Sequence, residues 1–334
     1  MANSTDGCEI SISKWSVEGG GARRATTWAP RAWNERIYEY FKKNGYQQCP
    51  YEHALYTKKS ENDMMVVALY VDDLIFTGSN TKLIEEFKEV IKKEFEMTDL
   101  GLMKYFLGLE VKQSEEGIFI SQERYALDIL KKFKMEDCNP ISIPMEPGTK
   151  LSKFDGGERA DAGRYRSLVG SLRYLTSTRP DLMLSVGITS RFMEDPSYTH
   201  WKALKRILRY VRGTLSLGIF YSKSDNYRLV DYSDSDWCGD VDDRKSTSGY
   251  VFLLGNSAFT WLSKKQLVVT LSTCEAEYLG LIRDEGTVIR VDNKSAIELE
   301  KNPVNHGRSK HIDVRFQFIR EQVKEGKVEL HVES

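Results

Sequence analysis

An eight-residue apolar run, Met64 to Val71, is stopped by two adjacent aspartates, Asp72 and Asp73, and a second run, LIFTG, follows them at once. The pattern predicts strand, tight turn and strand, because each short run can bury one pleated face while aspartates favour the turn between them. Eight residues fall far short of the roughly 20 that cross a bilayer, so no membrane partner is expected. Apolar strands on both sides would fix the carboxylates on a rigid sheet. Such a platform suits Mg2+ or Mn2+, which is typically held by one or two protein carboxylates together with substrate phosphates.

Helices and strands alternate irregularly along the rest of the chain. Pro30, Trp33, Ile37, Tyr40 and Phe41 predict a helix ending near Asn44-Gly45, and the stripe Leu83, Ile84, Phe87, Val90, Ile91 and Phe95 predicts a second one over a sheet. A hairpin around Ser114 to Gly117 and a helix carrying Tyr125, Ile129, Leu130 and Phe133 come next. Residues 1–28, with three consecutive glycines, no sustained period and no apolar signal core, predict an unstructured leader without a secretory signal. Prolines and glycines between Cys138 and Gly163 predict a linker, and residues 164–213 read as at least two helices broken near Arg179-Pro180. From Tyr227 the rhythm changes to RLVDYSDSD, GYVFLLG, AFTWLS and VVTLST. A helix from about Cys274, the strand TVIRVDN, the helices KSAIELEK and HIDVRFQFIREQVKEG, and the strand KVELHV complete the chain. That order predicts a five-stranded mixed sheet with helices against it.

Charge decides what such a chain can attract. Lys and Arg total 48 against 49 Asp and Glu, so the net charge of −1 gives no global pull on a polyanion. Any nucleic acid must be met locally. The segment WKALKRILRYVR offers one place, because Lys202, Lys205, Arg206, Arg209 and Arg212 form an acid-free face opposite Trp201, Leu204, Leu208 and Val211. Arg308, Lys310 and His311 offer a second set of backbone contacts. Five cysteines at least 36 positions apart, with no C-x-x-C pair, argue against a disulfide framework or cysteine zinc site and for a reducing intracellular location. DSDWCG at 234–239 begins like a calcium loop, but Cys238 and Lys245 stand where that loop needs oxygen ligands. No small-molecule cofactor is indicated.

Tyr70-Val71-Asp72-Asp73 with LIFTG, APRAW at 29–33, CPYEHALY at 49–56, FEMTDLGLMKYFLGLEV at 95–111 and HWKALKRILRYVRGTL at 200–215 resemble the reverse transcriptase of copia-type LTR retrotransposons. YSDSDWCGDVDDRKSTSGYVFLLG, WLSKKQLVVTLSTCEAEY, VDNKSAI and RSKHIDVRFQFIRE resemble the ribonuclease H domain that follows it in the same Pol polyprotein. The resemblance implies an α+β or mixed α/β chain: a partial palm at 29–137, linker and connecting helices at 138–225, and a ribonuclease H-like five-stranded mixed sheet at 226–334. It also implies RNA-directed DNA synthesis at Asp72 and Asp73, and Mg2+- or Mn2+-dependent cleavage of RNA in RNA–DNA hybrids at Asp234, Glu277 and Asp292. Asp236 and Glu275 are alternative ligands. The three acids, on the first strand, the helix after the third strand and the end of the fourth strand, are expected to converge at one sheet edge.

The chain also departs from the family pattern. No counterpart of the family's third metal-binding aspartate, on an earlier palm strand, is evident before APRAW, and Trp28 stands where the family has glutamine. Only fourteen residues separate Glu277 from Asp292, and HVES ends the chain before the family's fourth ribonuclease H acid. The expectation is a truncated Pol fragment that does not polymerise DNA. Hydrolysis of hybrids, a non-catalytic nucleic-acid-binding relic and a non-functional remnant all stay open.

Overall fold

The computed structural model describes residues 13–17, 30–60, 63–71, 73–95, 97–224, 227–281, 288–291 and 329–332. The chain forms two compact units that divide between Leu107 and Gly108. KSAIELEK and HIDVRFQFIREQVKEG, expected as helices, lie outside the described residues.

The first unit runs β1 (Ser13–Val17), α1 (Pro30–Lys43), β2 (Gln47–Gln48), β3 (Leu55–Lys59), β4 (Met64–Tyr70), β5 (Asp73–Gly78), α2 (Thr81–Glu94), β6 (Met97–Leu102) and β7 (Tyr105–Phe106). Strand alternation in the apolar runs works as the sequence requires: Met65, Val67 and Leu69 of β4 and Leu74 and Phe76 of β5 face inward and are buried. Ile37 and Phe41 of α1 and Ile84, Phe87 and Ile91 of α2 close the same core. Asn80 caps α2 by accepting the Lys82 amide at 2.8 Å. Val90, placed on the buried stripe by its spacing, is 45% exposed, so the stripe that packs is narrower than the periodicity suggested.

The sheet order is β2-β3-β4-β5-β1-β6, antiparallel at each pairing. The expectation of an unstructured leader therefore fails at Ser13–Val17, which forms an inner strand hydrogen-bonded on both sides. A five-residue segment has too little length to show a period, so only its partners reveal it.

The second unit runs β8 (Leu109–Ser114), β9 (Gly117–Ser121), α3 (Glu123–Lys132), α4 (Ala162–Leu175), α5 (Met183–Thr189), α6 (Tyr198–Gly213), β10 (Gly218–Ser222), β11 (Leu229–Ser235), β12 (Thr247–Leu254), β13 (Ser257–Lys265), α7 (Thr273–Leu281), β14 (Val288–Val291) and β15 (Glu329–Val332). Hairpin β8-β9 pairs with β10. Helix α3, grouped with the palm in the sequence reading, packs with α4 to α6 through Ile129, Leu130, Leu168, Leu172, Leu204 and Leu208. A second sheet has the order β13-β12-β11-β14-β15; β11, β12 and β13 are antiparallel, while β14 runs parallel to β11 and β15 parallel to β14. VVTLST, expected as a strand, is a loop with Leu271 60% exposed; its amide at 271 bonds Glu275 Oε2 at 2.7 Å instead of a neighbouring strand. No helix among the described residues is long and apolar enough to cross a membrane.

The segment expected as a linker is an ordered strap. Lys150 donates to the Gly239 carbonyl at 2.9 Å, while Ser152 Oγ and the Lys153 amide both donate to the Asp242 carboxylate. Ser197 caps α6 and donates to Asp155, and the Tyr198 amide bonds the Glu158 carbonyl at 2.7 Å. The loop that receives the strap is held by Asp240, which accepts Arg191 at 3.2 Å, Lys265 at 2.6 Å and the amides of Asp242 and Asp243.

Buried His200 reads the protonation of this strap. Its Nδ1 accepts the Ser197 amide at 3.0 Å, so the proton is on Nε2, which donates to the Ser152 carbonyl at 3.1 Å. Burial pushes the imidazole below its ordinary 6.5, against the opposing pull of the Asp155 charge. The folded chain thus binds fewer protons than the unfolded chain just below that value, and this contribution to stability is present above pH 6.5 and lost as pH falls through the lowered folded value. Urea midpoints measured from pH 7.5 down to pH 5 should fall for the native chain and fall less for His200→Gln.

Candidate functional site

The hairpin tip is tight. Tyr70 pairs with Asp73 across it, and Val71 takes a left-handed φ of 55°, a costly conformation for a β-branched residue. Tyr70, half exposed, meets the Phe106 ring edge-on at 6.0 Å. Asp73 is half-buried, on the opposite face of β5 from buried Leu74; Asp72 lies outside the described residues. On the side of β5 away from β4 runs β1, with Ser16 in register with Asp73. Its residues are Ser13, Lys14, Trp15, Ser16 and Val17, with no carboxylate. Among the described residues, Asp73 is therefore the one carboxylate of the β1, β4 and β5 strands at this tip, whereas a two-ion centre holds its ions about 3.5–4 Å apart with several ligands.

The second constellation is arranged differently from its expectation. Glu277, on α7, is buried, and its Oε1 accepts the Ser235 amide at 3.0 Å. Along β11, Asp231, Ser233 and Ser235 are buried while Asp234 is exposed. Helix α7 covers the serine face: Ser233 Oγ donates to the Gly280 carbonyl at 3.4 Å, and a Cβ on Gly280 would lie 2.6 Å from Ser235 Oγ. Strand alternation therefore turns Asp234 away from α7 and Glu277. The alternatives serve the backbone, since Asp236 accepts the Thr247 amide and Glu275 the Leu271 amide. Asp292 lies outside the described residues, as do Arg308, Lys310 and His311. Among the described residues, no group of three His, Cys, Asp or Glu side chains is placed to hold a metal ion.

Two residues that sequence reasoning passed over shape this region. Gln266 Nε2 donates to Ser248 Oγ and to the Ala276 carbonyl, both at 2.8 Å, and Ser248 Oγ also receives Ser235 Oγ. It thereby ties the start of α7 to β11 and β12. Asp231 is a fully buried carboxylate on the α7 face of β11. Period-two alternation from Ser233 and Ser235 would have placed it there, but the acids clustered at 234 to 243 masked the signal.

The basic face of α6 is largely committed. Arg206 pairs with Glu146 at 2.8 Å, Arg209 Nε donates to the Asn139 carbonyl at 2.8 Å, and Arg212 Nε donates to the Glu136 carbonyl at 2.6 Å. These three arginines bind the chain that leads into the strap. Lys202 is exposed and lies over the Tyr198 ring at 5.0 Å, and Lys205 is half-buried. Trp201 packs against the helical core, with Phe133 and Tyr165 nearby.

Residues 24–147 match the model of the family described as reverse transcriptase (RNA-dependent DNA polymerase). A retrovirus-related Pol polyprotein from transposon RE1 of Arabidopsis thaliana is 38% identical over 317 residues, 89% of this chain and 22% of that one. The transposon Ty5-1 protein of Saccharomyces cerevisiae is 32% identical over 270 residues, 79% of this chain and 86% of that one. The chain thus spans 22% to 24% of the length of the plant Pol polyproteins it matches. Among solved structures, an RNase H1 in complex with an RNA/DNA hybrid aligns with 32% of this chain and 85% of that one, at 15% identity and a TM-score of 0.25.

Proposed function

The chain belongs to the retrovirus-related Pol polyproteins of transposons and carries reverse transcriptase sequence, and we propose that by itself it binds RNA–DNA hybrids without synthesising DNA. One observation supports this reading: β1, the strand in register with Asp73, has no carboxylate in its sequence, so among the described residues no second acidic strand stands beside Asp73 to complete the ligand set that nucleotidyl transfer needs. Binding asks for less than chemistry does, namely cations near phosphate, and the helices of the second unit carry them. In this reading residues 29–137 are the remaining palm segment, 138–225 the connecting part and 226–334 the ribonuclease H-like part.

A second reading, hydrolysis of the RNA strand with Mg2+ or Mn2+, is favoured by the five-stranded mixed sheet and by the seating of Glu277 against the end of β11. One experiment separates the two. The purified chain is mixed with a labelled hybrid at about 50 mM salt and again at about 200 mM, with divalent metal and nucleotides present, beside Asp234→Asn and Glu277→Gln. Binding that weakens with salt, without primer extension or cleavage in any of the three proteins, is the expected result. Cleavage by the native chain that both substitutions abolish would replace it with the second reading, and absence of binding at low salt would remove both.

A further inference from the structure

We infer that the phosphate-contacting surface of the second unit is a three-helix patch centred on Trp201, rather than the length of α6. This rests on the nucleic-acid reading above and gives it a place. Four cations stand on the three helices that pack about this indole, and one of them, Arg164, lies over it. Lys132, at the end of α3, is exposed and bonds Ser167 Oγ of α4 at 2.9 Å; its ammonium also lies 5.4 Å from the Phe133 ring, which sits 6.4 Å from Trp201. Arg164, in the first turn of α4, is exposed and lies over the Trp201 ring at 5.3 Å. Lys202 follows the indole directly, and Lys205 stands one helical turn along the same side of α6.

What separates these cations from the others on α6 is their partners. None of the four forms an ion pair among the described residues, whereas Arg206 is neutralised by Glu146, and Arg209 and Arg212 are held by carbonyls. Asp161, which caps α4, spends an oxygen on the Arg164 amide at 3.0 Å. Cations left without acids, on helices fixed by a shared core, can each replace one condensed counterion on a duplex backbone. The contact reads charge and spacing, not sequence, because phosphates carry no base information. A double-stranded RNA–DNA hybrid is the occupant this surface fits.

The test measures the salt dependence of hybrid binding by fluorescence anisotropy for the full chain and three variants. Replacing Lys132, Arg164 and Lys202 together by glutamine should reduce the slope of log affinity against log salt by about three, since each phosphate contact contributes about 0.9. Replacing the two lysines by arginine should restore native binding, which a merely structural role would not do. Arg209→Gln with Arg212→Gln should leave the slope within one contact of native. If the native chain binds and the triple variant binds with the same slope, the patch is wrong while the nucleic-acid reading stands. If the native chain binds no hybrid, both fall; retention on phosphatidylserine vesicles without hybrid binding would give the surface to a lipid partner and overturn this inference.

Discussion

Asp240→Ala is expected to lower the stability of the second unit by about 3 kcal/mol, because it leaves Arg191 facing the gap and removes one of the two acids that hold Lys265. Both cations are largely screened from water, with side chains 18% and 26% exposed, so solvent replaces little of what is lost. Asp240→Asn keeps an oxygen for the amides of Asp242 and Asp243 and should cost less. Acid should reproduce the effect in the native chain. Burial opposes ionisation of Asp240, yet the hydrogen bond from Lys265, the two amides and the lysine charge outweigh it and hold the carboxyl down at about 2. The folded value lies below the ordinary 3.8, so the contribution is present above pH 3.8 and lost as pH falls toward 2. Equilibrium urea unfolding at pH 7, 4 and 2.5 checks both: the native and Asp240→Ala curves should converge at the lowest pH. Curves equally far apart at pH 7 and pH 2.5 would contradict the assignment.

Gly117→Ala should be nearly as damaging, by about 3 kcal/mol, through a different cause. Its φ of +151° lies where only glycine rests easily, and an added Cβ would come 2.1 Å from the Tyr221 carbonyl of β10 and 3.0 Å from Ser222 Cα. Backbone on both sides cannot rotate out of the way. Gly148→Ala provides the contrast within the same unit, since its φ is +75° but nothing lies within 4 Å of the new methyl. That substitution should cost about 1 kcal/mol, the conformational part alone. Similar thermal midpoints for the two variants would show that the close approach of β10 contributes nothing.

Much of this architecture could be read from the chain because burial leaves a period. Alternation announced β4 and β5, and heptad-like stripes announced α2, α3 and α6, since each buries one continuous face. The strap escaped notice for the opposite reason. Its order comes from single polar bonds to His200, Asp242 and Gly239, and proline- and glycine-rich sequence looks the same whether or not such partners exist. Site residues were less legible than elements. Glu277 and Asp234 could be named as candidates, but which side of β11 each occupies depends on register, and a shift of one position exchanges the faces. For the arginines of α6, a helical wheel gave the face correctly and could not show that residues 136–146 already covered it.

The position of β1 also bears on the route by which the first unit assembles. Strands β5 and β6 are joined by α2 and would be expected to find each other early, yet neither is the other's hydrogen-bonded neighbour: Ser13–Val17 comes between them. Until that strand inserts, two edges with unpaired amides and carbonyls stand open to any other chain. Its partners, from Asp73 to Leu102, are distant along the chain, so its insertion is a high-contact-order step that waits on the closure of long loops. The strand least evident in sequence is thus the one that governs how long the unit remains vulnerable to aggregation during folding.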